Sequence, residues 1–318
     1  MAKDITTTLY IDPACPWGYS ASPALAVLRW RYGAQLDWRV VMIGLSESAE
    51  RNIERGFTPL RIARLTAELF RPYGMPFAHE PKHRPSASAR ACRAVISAGL
   101  AAPGADWTAL RALQLSQFST PLILDDDAHI SAVVAAATEL SPATIQGLLD
   151  SPEVGEAYAR DRAEARSAAG TAAETQGTTA VTDDGIVRYT APSVIFEHDG
   201  ERLIAGGFQP VQTYDVLIAN LAPEIERRAA ARTPAEALAA FPQGLTTQEV
   251  AAIMASGTNL VDKGAAELAL LDLVADGGVV RIALGDDAIW VDPAQAEQMR
   301  SVIEAARAAE PQLQAVGF

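Results

Sequence analysis

The chain opens on a run of β-branched and aromatic positions, Thr7–Ile11, that stops at Asp12-Pro13. So short an apolar run predicts a buried strand. Leu25, Val27, Leu28 and Trp30 then recur at helical spacing and Gly33 closes the segment, which predicts a helix over Gly18–Tyr32. Leu36–Leu45 predicts a second strand, apolar on both faces for part of its length. Strand, helix, strand with a right-handed crossover opens an α/β domain with parallel strands. From Ser46 to Gly177 the period is helical. Thr58–Phe70, Ser88–Gly99, Trp107–Phe118, His129–Leu140, Pro142–Leu149 and Glu153–Ala169 each line one side with apolar residues. Ser141-Pro142 and Ser151-Pro152 set a capping hydroxyl ahead of proline. Strand patterning returns at Val187–Glu197 and Glu201–Ala205, joined by the hairpin signal His198-Asp199-Gly200, and Gln209–Leu221 predicts the closing helix.

An α/β domain over 1–225 is therefore interrupted by a helical insertion at about 50–178. A linker is expected at 226–240, and 241–318 forms a separate pattern. There, and just before it, Thr233–Phe241, Thr246–Ala255 and Ala265–Ala275 predict helices, and a hairpin turns at Gly285-Asp286. A last helix is expected at Pro293–Ala309, ahead of a tail. Three helices followed by a two-stranded wing predict a small winged-helix-like domain.

Charge narrows the function classes. The net charge of −13 argues against a general nucleic-acid binder and against attraction to an anionic membrane. Phe241–Phe318 holds 11 acidic residues against 4 basic ones, so its winged-helix pattern predicts a docking, lid or dimerising element rather than a reader of duplex DNA. Two cysteines exclude a disulfide-rich scaffold. The opening MAKDITTTLYIDP lacks a leader pattern and no apolar run reaches spanning length, so a soluble, cytoplasmic protein is expected.

The candidate chemistry centres on Cys15, which follows the first strand and opens a helix with Pro16 at a tolerated position. Orphan amides and the helix dipole there favour a thiolate, predicting a lowered pKa; the competing reading is a buried, inert cysteine. His79-Glu80-Pro81-Lys82-His83 has the letters of a zinc-peptidase motif, but Pro81 denies it the helix that would align both histidines. No metal site is expected. A proline-rich loop at a pocket mouth fits these residues better.

Asp12-Pro13-Ala14-Cys15-Pro16-Trp17-Gly18, the helical insertion and Thr190-Ala191-Pro192 together resemble the DsbA-like thioredoxin-fold family. Ser88–Val95 and Ala205–Pro210 resemble its FrnE-like members, in a branch shared with 2-hydroxychromene-2-carboxylate isomerases and kappa-class glutathione transferases. The resemblance spans about residues 5–222. It implies a thioredoxin fold, Cys15 as attacking thiol, and Pro192 as a cis-proline facing it, with Ala191 offering backbone to an incoming strand. A dithiol member has cysteine where this chain has Gly18, so the two-thiol cycle cannot run in the turn itself. Cys92 is either a distant resolving thiol or a core residue. Trp17 and Tyr19 are expected beside the sulfur, as substrate wall or as core, and Arg90 is a candidate for the carboxylates of a thiol cofactor.

The expected function is a thiol-dependent oxidoreductase or transferase using one cysteine with glutathione or mycothiol as co-substrate. No cofactor is expected to be tightly bound, the substrate is a small molecule or a mixed disulfide, and a homodimer is left open. The alternatives are a thiol-dependent isomerase of a small aromatic substrate and a non-catalytic interaction scaffold.

Overall fold

The computed structural model describes residues 5–257 and 260–308. β1 (Ile5–Ile11) leads through α1 (Pro16–Ser20) and α2 (Ser22–Tyr32) into β2 (Leu36–Met42), the two strands running parallel. Then come α3 (Ala49–Glu54), α4 (Pro59–Leu65) with a π-turn at Thr66–Phe70, α5 (Ala89–Ala101), α6 (Ala105–Ser119), α7 (Asp127–Ala137), α8 (Pro142–Leu149), α9 (Pro152–Ala165) and α10 (Ala172–Thr175). β3 (Thr179–Val181) and β4 (Val187–Tyr189) pair only with each other. β5 (Ser193–His198) and β6 (Glu201–Ala205) return to the first sheet, and α11 (Val211–Leu221) follows. That sheet runs β2-β1-β5-β6, a thioredoxin-like arrangement with a helical insertion between β2 and the returning strands.

Alternation along β1 decides its two faces. Leu9 and Ile11 face a core built with Leu28, Cys92, Val95 and Leu113. Tyr10 faces a second cluster with Val41, Ile43, Tyr189 and Cys15. Two expected elements are divided. The helix over Gly18–Tyr32 breaks at Ala21, because Pro23 has no N–H for the Tyr19 carbonyl. The strand over Val187–Glu197 breaks at the cis Ala191-Pro192 bond, so its halves join different sheets.

The C-terminal part comprises α12 (Pro234–Ala239), β7 (Leu245–Thr246), α13 (Thr247–Met254), α14 (Lys263–Ala275), β8 (Val280–Leu284), β9 (Asp287–Val291) and α15 (Ala296–Arg307). Its sheet runs β7-β9-β8. The expected end of the last helix at Ala309, and the tail after it, lie outside the described residues.

This part is built onto the rest. Ala26, Val27 and Trp30 of α2 share a core with Val250, Leu270 and Trp290, while Val302 and Ala306 of α15 enter the central cluster. Glu249, fully buried, caps α13 with Thr246 and takes both guanidinium nitrogens of Arg111 at 2.8 Å. The expected linker is bonded down along its length. Arg228 N donates to Arg31 O, Trp30 Nε1 to Ala229 O and Ala231 N to Ile253 O. The Arg228 guanidinium lies 3.3 Å from the Trp30 ring centre. At the β8–β9 hairpin tip, Asp286 N donates to Phe77 O at 3.0 Å and Phe77 N to Asp286 Oδ1 at 2.8 Å. Gly285 (φ +56°) allows that approach, since a Cβ would stand 2.7 Å from the Phe77 carbonyl carbon. Among the described residues no helix is long and apolar enough to cross a membrane.

Candidate functional site

Cys15 is the N-cap of α1, held where strand turns into helix. Asp12 builds that turn. Its buried carboxylate accepts from Ala14 N, Leu45 N and Ser88 Oγ, each at 2.8 Å, and so ties the turn to the end of β2 and the start of α5. Burial raises the Asp12 carboxyl above its ordinary range, against the pull of these donors.

The cis peptide Ala191-Pro192 lies across from the turn. The Cys15 thiol donates to Ala191 O, with Sγ 3.1 Å from it, and Cys15 is only 6% exposed. Burial pushes the thiol up to about 12; the amides of Gly18 and Trp17 oppose this and the Asp12 charge adds to it. The expected lowered pKa is thus overturned. The helix start is present, but what covers the sulfur outweighs it.

Gly18 stands where a second thiol would be. A Cβ there would lie 3.6 Å from Cys15 Cβ and 2.7 Å from Ile11 Cδ1. The first distance is that of a disulfide pair; the second requires the end of the Ile11 side chain to shift.

Trp17, 36% exposed, sits in an aromatic group with Phe70, Tyr73 and Phe208, ring centres 5.0, 5.7 and 5.5 Å away. Tyr19 does not join it. Two residues on, a helix turns about 200°, and Tyr19 is 1% exposed, stacked on Phe118 with its hydroxyl on Pro76 O. Tyr19 is therefore core, not substrate wall. Arg90 is likewise committed elsewhere: Asp127 and Asp150 hold its guanidinium, and it lines no part of the cavity described next. Cys92 is fully buried in the central core, in a different cluster from Cys15, and its thiol meets Asp12 Oδ2 at 3.6 Å. Burial raises the Cys92 thiol well above its ordinary range. Both cysteines are free.

A cavity of about 430 Å³ opens beside the turn, with Ala14, Pro16 and Trp17 in its wall on either side of Cys15. That is the size of a small-molecule site. Phe57, Phe70, Phe77 and Phe118 supply apolar walls. Residues 79–83 form no helix, and Glu80, Pro81 and Lys82 line this cavity as part of a proline-rich loop, while His79 meets Arg71. The sequence reading missed Arg55, Arg84 and Arg188, which also reach the wall, and did not single out Lys82 within the loop it set at a pocket mouth. Scattered from α3 to β4, they carry no shared spacing that would have marked them.

The family model of the DSBA-like thioredoxin domain matches residues 6–171, more than half of the chain. Among solved structures, a provisionally assigned protein disulfide isomerase from Nitrosomonas europaea is similar in fold at a TM-score of 0.52. It is 16% identical, covering 69% of this chain and 97% of that one. The cytosolic disulfide reductase DsbM from Pseudomonas aeruginosa aligns at a TM-score of 0.45 and 21% identity, covering 68% of this chain and 98% of its own. No curated protein matches the sequence.

Proposed function

This chain belongs to the DSBA-like thioredoxin-domain family, and from that premise we propose that it is a thiol–disulfide exchange enzyme working with one cysteine and a small thiol. The observation that carries the reading is the Cys15 sulfur, 3.1 Å from Ala191 O, in a turn whose Ala14, Pro16 and Trp17 line a cavity, with glycine at position 18. Deprotonated Cys15 attacks one sulfur of a disulfide, a Cys15–substrate disulfide forms, and the other sulfur leaves as a thiolate that takes up the proton. With no neighbouring thiol to resolve it, glutathione or mycothiol attacks the substrate sulfur and Cys15 leaves and is reprotonated. One disulfide has been exchanged for another, and the protein itself gains or loses no electrons.

This chemistry suits a reducing, cytoplasmic compartment. Trp17 shapes the pocket, and the backbone at Ala191-Pro192 orients the partner. The order helix, strand, helix, helix, hairpin over 234–291 supports a winged-helix-like module at 241–318, used to brace Phe77 in the wall of the site and not to bind duplex. A second reading, a binding scaffold without turnover, is favoured by the burial of Cys15 and its high pKa.

Intact-mass spectrometry of protein from its native cell is expected to show a small-thiol adduct, absent in Cys15→Ser. Mixed disulfides should turn over only when glutathione or mycothiol is supplied. Gly18→Cys should exchange simple disulfides without it, and Cys92→Ala should leave turnover nearly intact. Turnover lost in a folded Cys92→Ala protein would replace this mechanism with a distant resolving pair. No turnover with either small thiol would leave the scaffold.

A further inference from the structure

A second cavity, of about 90 Å³, lies at the seam between the thioredoxin part and the C-terminal part. Its wall carries Arg29 of α2, Arg111 and Gln114 of α6, Glu249 of α13 and Phe241, which precedes β7. Space of this size holds about three waters, or one guest of about three to five heavy atoms.

The charges in that wall do not cancel. Arg111 is fully committed: Nη1 donates to Glu249 Oε1 and Ser22 Oγ, and Nη2 to Glu249 Oε2 and Gly244 O. The Glu249 carboxylate also accepts from Ser22 Oγ and Thr246 N, so both its oxygens are taken. Arg29 is left over. Among the described residues it has neither a carboxylate partner nor a hydrogen-bond acceptor, and its guanidinium carbon lies 4.6 Å from the ring centre of Trp107 and 5.8 Å from that of Phe241. Rings attract a cation but give its five N–H groups no oxygen to bond. Burial, with the like charge of Arg111, lowers Arg29 to about 10 against the pull of Glu249, so it stays charged at neutral pH and is held there at a cost. Gln114 adds an independent sign. It is only 9% exposed, and its amide nitrogen has no acceptor. One small cavity thus has two cations against one carboxylate in its wall, and two donor groups with nothing to receive them. An anion would relieve both deficits.

We propose that this cavity binds a small planar oxyanion of single charge, a short carboxylate or bicarbonate, on Arg29 and Gln114. One uncompensated positive charge selects a monovalent guest, a planar guanidinium fork matches an O–C–O edge, and the volume excludes a ring or a peptide. With walls from α2, α6 and residues 240–245, the bound anion ties the C-terminal part to the thioredoxin part. The site is independent of the exchange reading at Cys15.

Acetate and acetamide share a shape and differ in charge, so calorimetric titration of the full chain with each tests the claim directly. Formate, acetate or bicarbonate is expected to bind at one site with a millimolar dissociation constant, as suits so few heavy atoms, and acetamide at least about tenfold more weakly. The tightest of the three anions identifies the source. At about thirty times its dissociation constant it should raise the melting temperature about 3 °C above that in chloride of equal ionic strength. Arg29→Gln should weaken binding about tenfold and remove that rise, Arg29→Lys should recover part of it, and Cys15→Ala should leave it unchanged. Circular dichroism checks that each variant is folded; if Arg29→Gln is not, Gln114→Leu is read instead, with a loss of about threefold expected. Equal binding of acetate and acetamide, sulfate bound as tightly as the planar anions, or unchanged affinity in the folded variant would overturn the proposal. Absence of saturable binding by all three anions would also overturn it and leave the cavity to water.

Discussion

At Cys15 two influences act in opposite directions on one proton. The start of α1 points amides at the sulfur, while 6% exposure and a carbonyl acceptor hold the thiol protonated, up to about 12. In the free protein, alkylation of Cys15 by iodoacetamide should therefore rise about tenfold per pH unit from pH ~7 to ~10 without levelling, as expected when reactivity follows the thiolate fraction. A plateau at or below the free-cysteine value of about 8.5 would contradict this. The sign for stability follows from the same shift. Above about 8.5 the unfolded thiol releases its proton before the folded one, so this group's contribution is complete below that pH and is lost as pH rises toward 12. The Ala191 carbonyl that holds the thiol proton is also a natural acceptor for an incoming N–H. Substrate that claims this acceptor would leave the thiol less firmly protonated.

Among the elements, the legible ones carry their signals locally. α8 begins at Pro142 and ends at Leu149 as read, because Ser141-Pro142 caps it and its apolar period is undisturbed. The break at Ala21 also had a local signal, Pro23, which the apolar period masked, whereas the π-turn at Thr66–Phe70 is backbone bonding that periodicity does not register. Elsewhere the deciding contact is remote. Trp17 was legible beside Cys15, but Arg188 and Lys82 reach the cavity wall only through the fold, and Tyr19 and Arg90 were assigned without knowing that Pro76, Asp127 and Asp150 would take them. The ion pair joining α6 to α13 is another such contact. Burial would raise the Glu249 carboxyl, yet Arg111 holds it below the usual range. Glu249→Gln should leave Arg111 buried without a counter-charge and cost about 3–5 kcal/mol, read from the urea midpoint. Replacing the pair together, Glu249→Leu with Arg111→Met, should recover much of that loss. A single variant within about 0.5 kcal/mol of the parent would show the pair to be solvated in solution.

Over the whole molecule, the part after Thr233 is joined to the rest by apolar packing on α2, by the Arg111–Glu249 pair and by the hairpin tip on Phe77. Unfolding should accordingly be one transition in heat or denaturant, with the Cys15 environment and the C-terminal helices lost together. Separate transitions by tryptophan fluorescence and far-UV dichroism would contradict that coupling. The hairpin tip has a further effect. Phe77, which it pins, is a wall of the cavity beside Cys15. Gly285→Ala, whose new methyl would meet Phe77 backbone, should push this wall outward and admit water. Charge on the sulfur would then be better solvated, and the Cys15 pKa should fall toward that of an exposed thiol, measurable by the same alkylation profile. In electrical terms the tip is insulation: without touching the sulfur, a turn near the end of the chain helps keep the dielectric around it low.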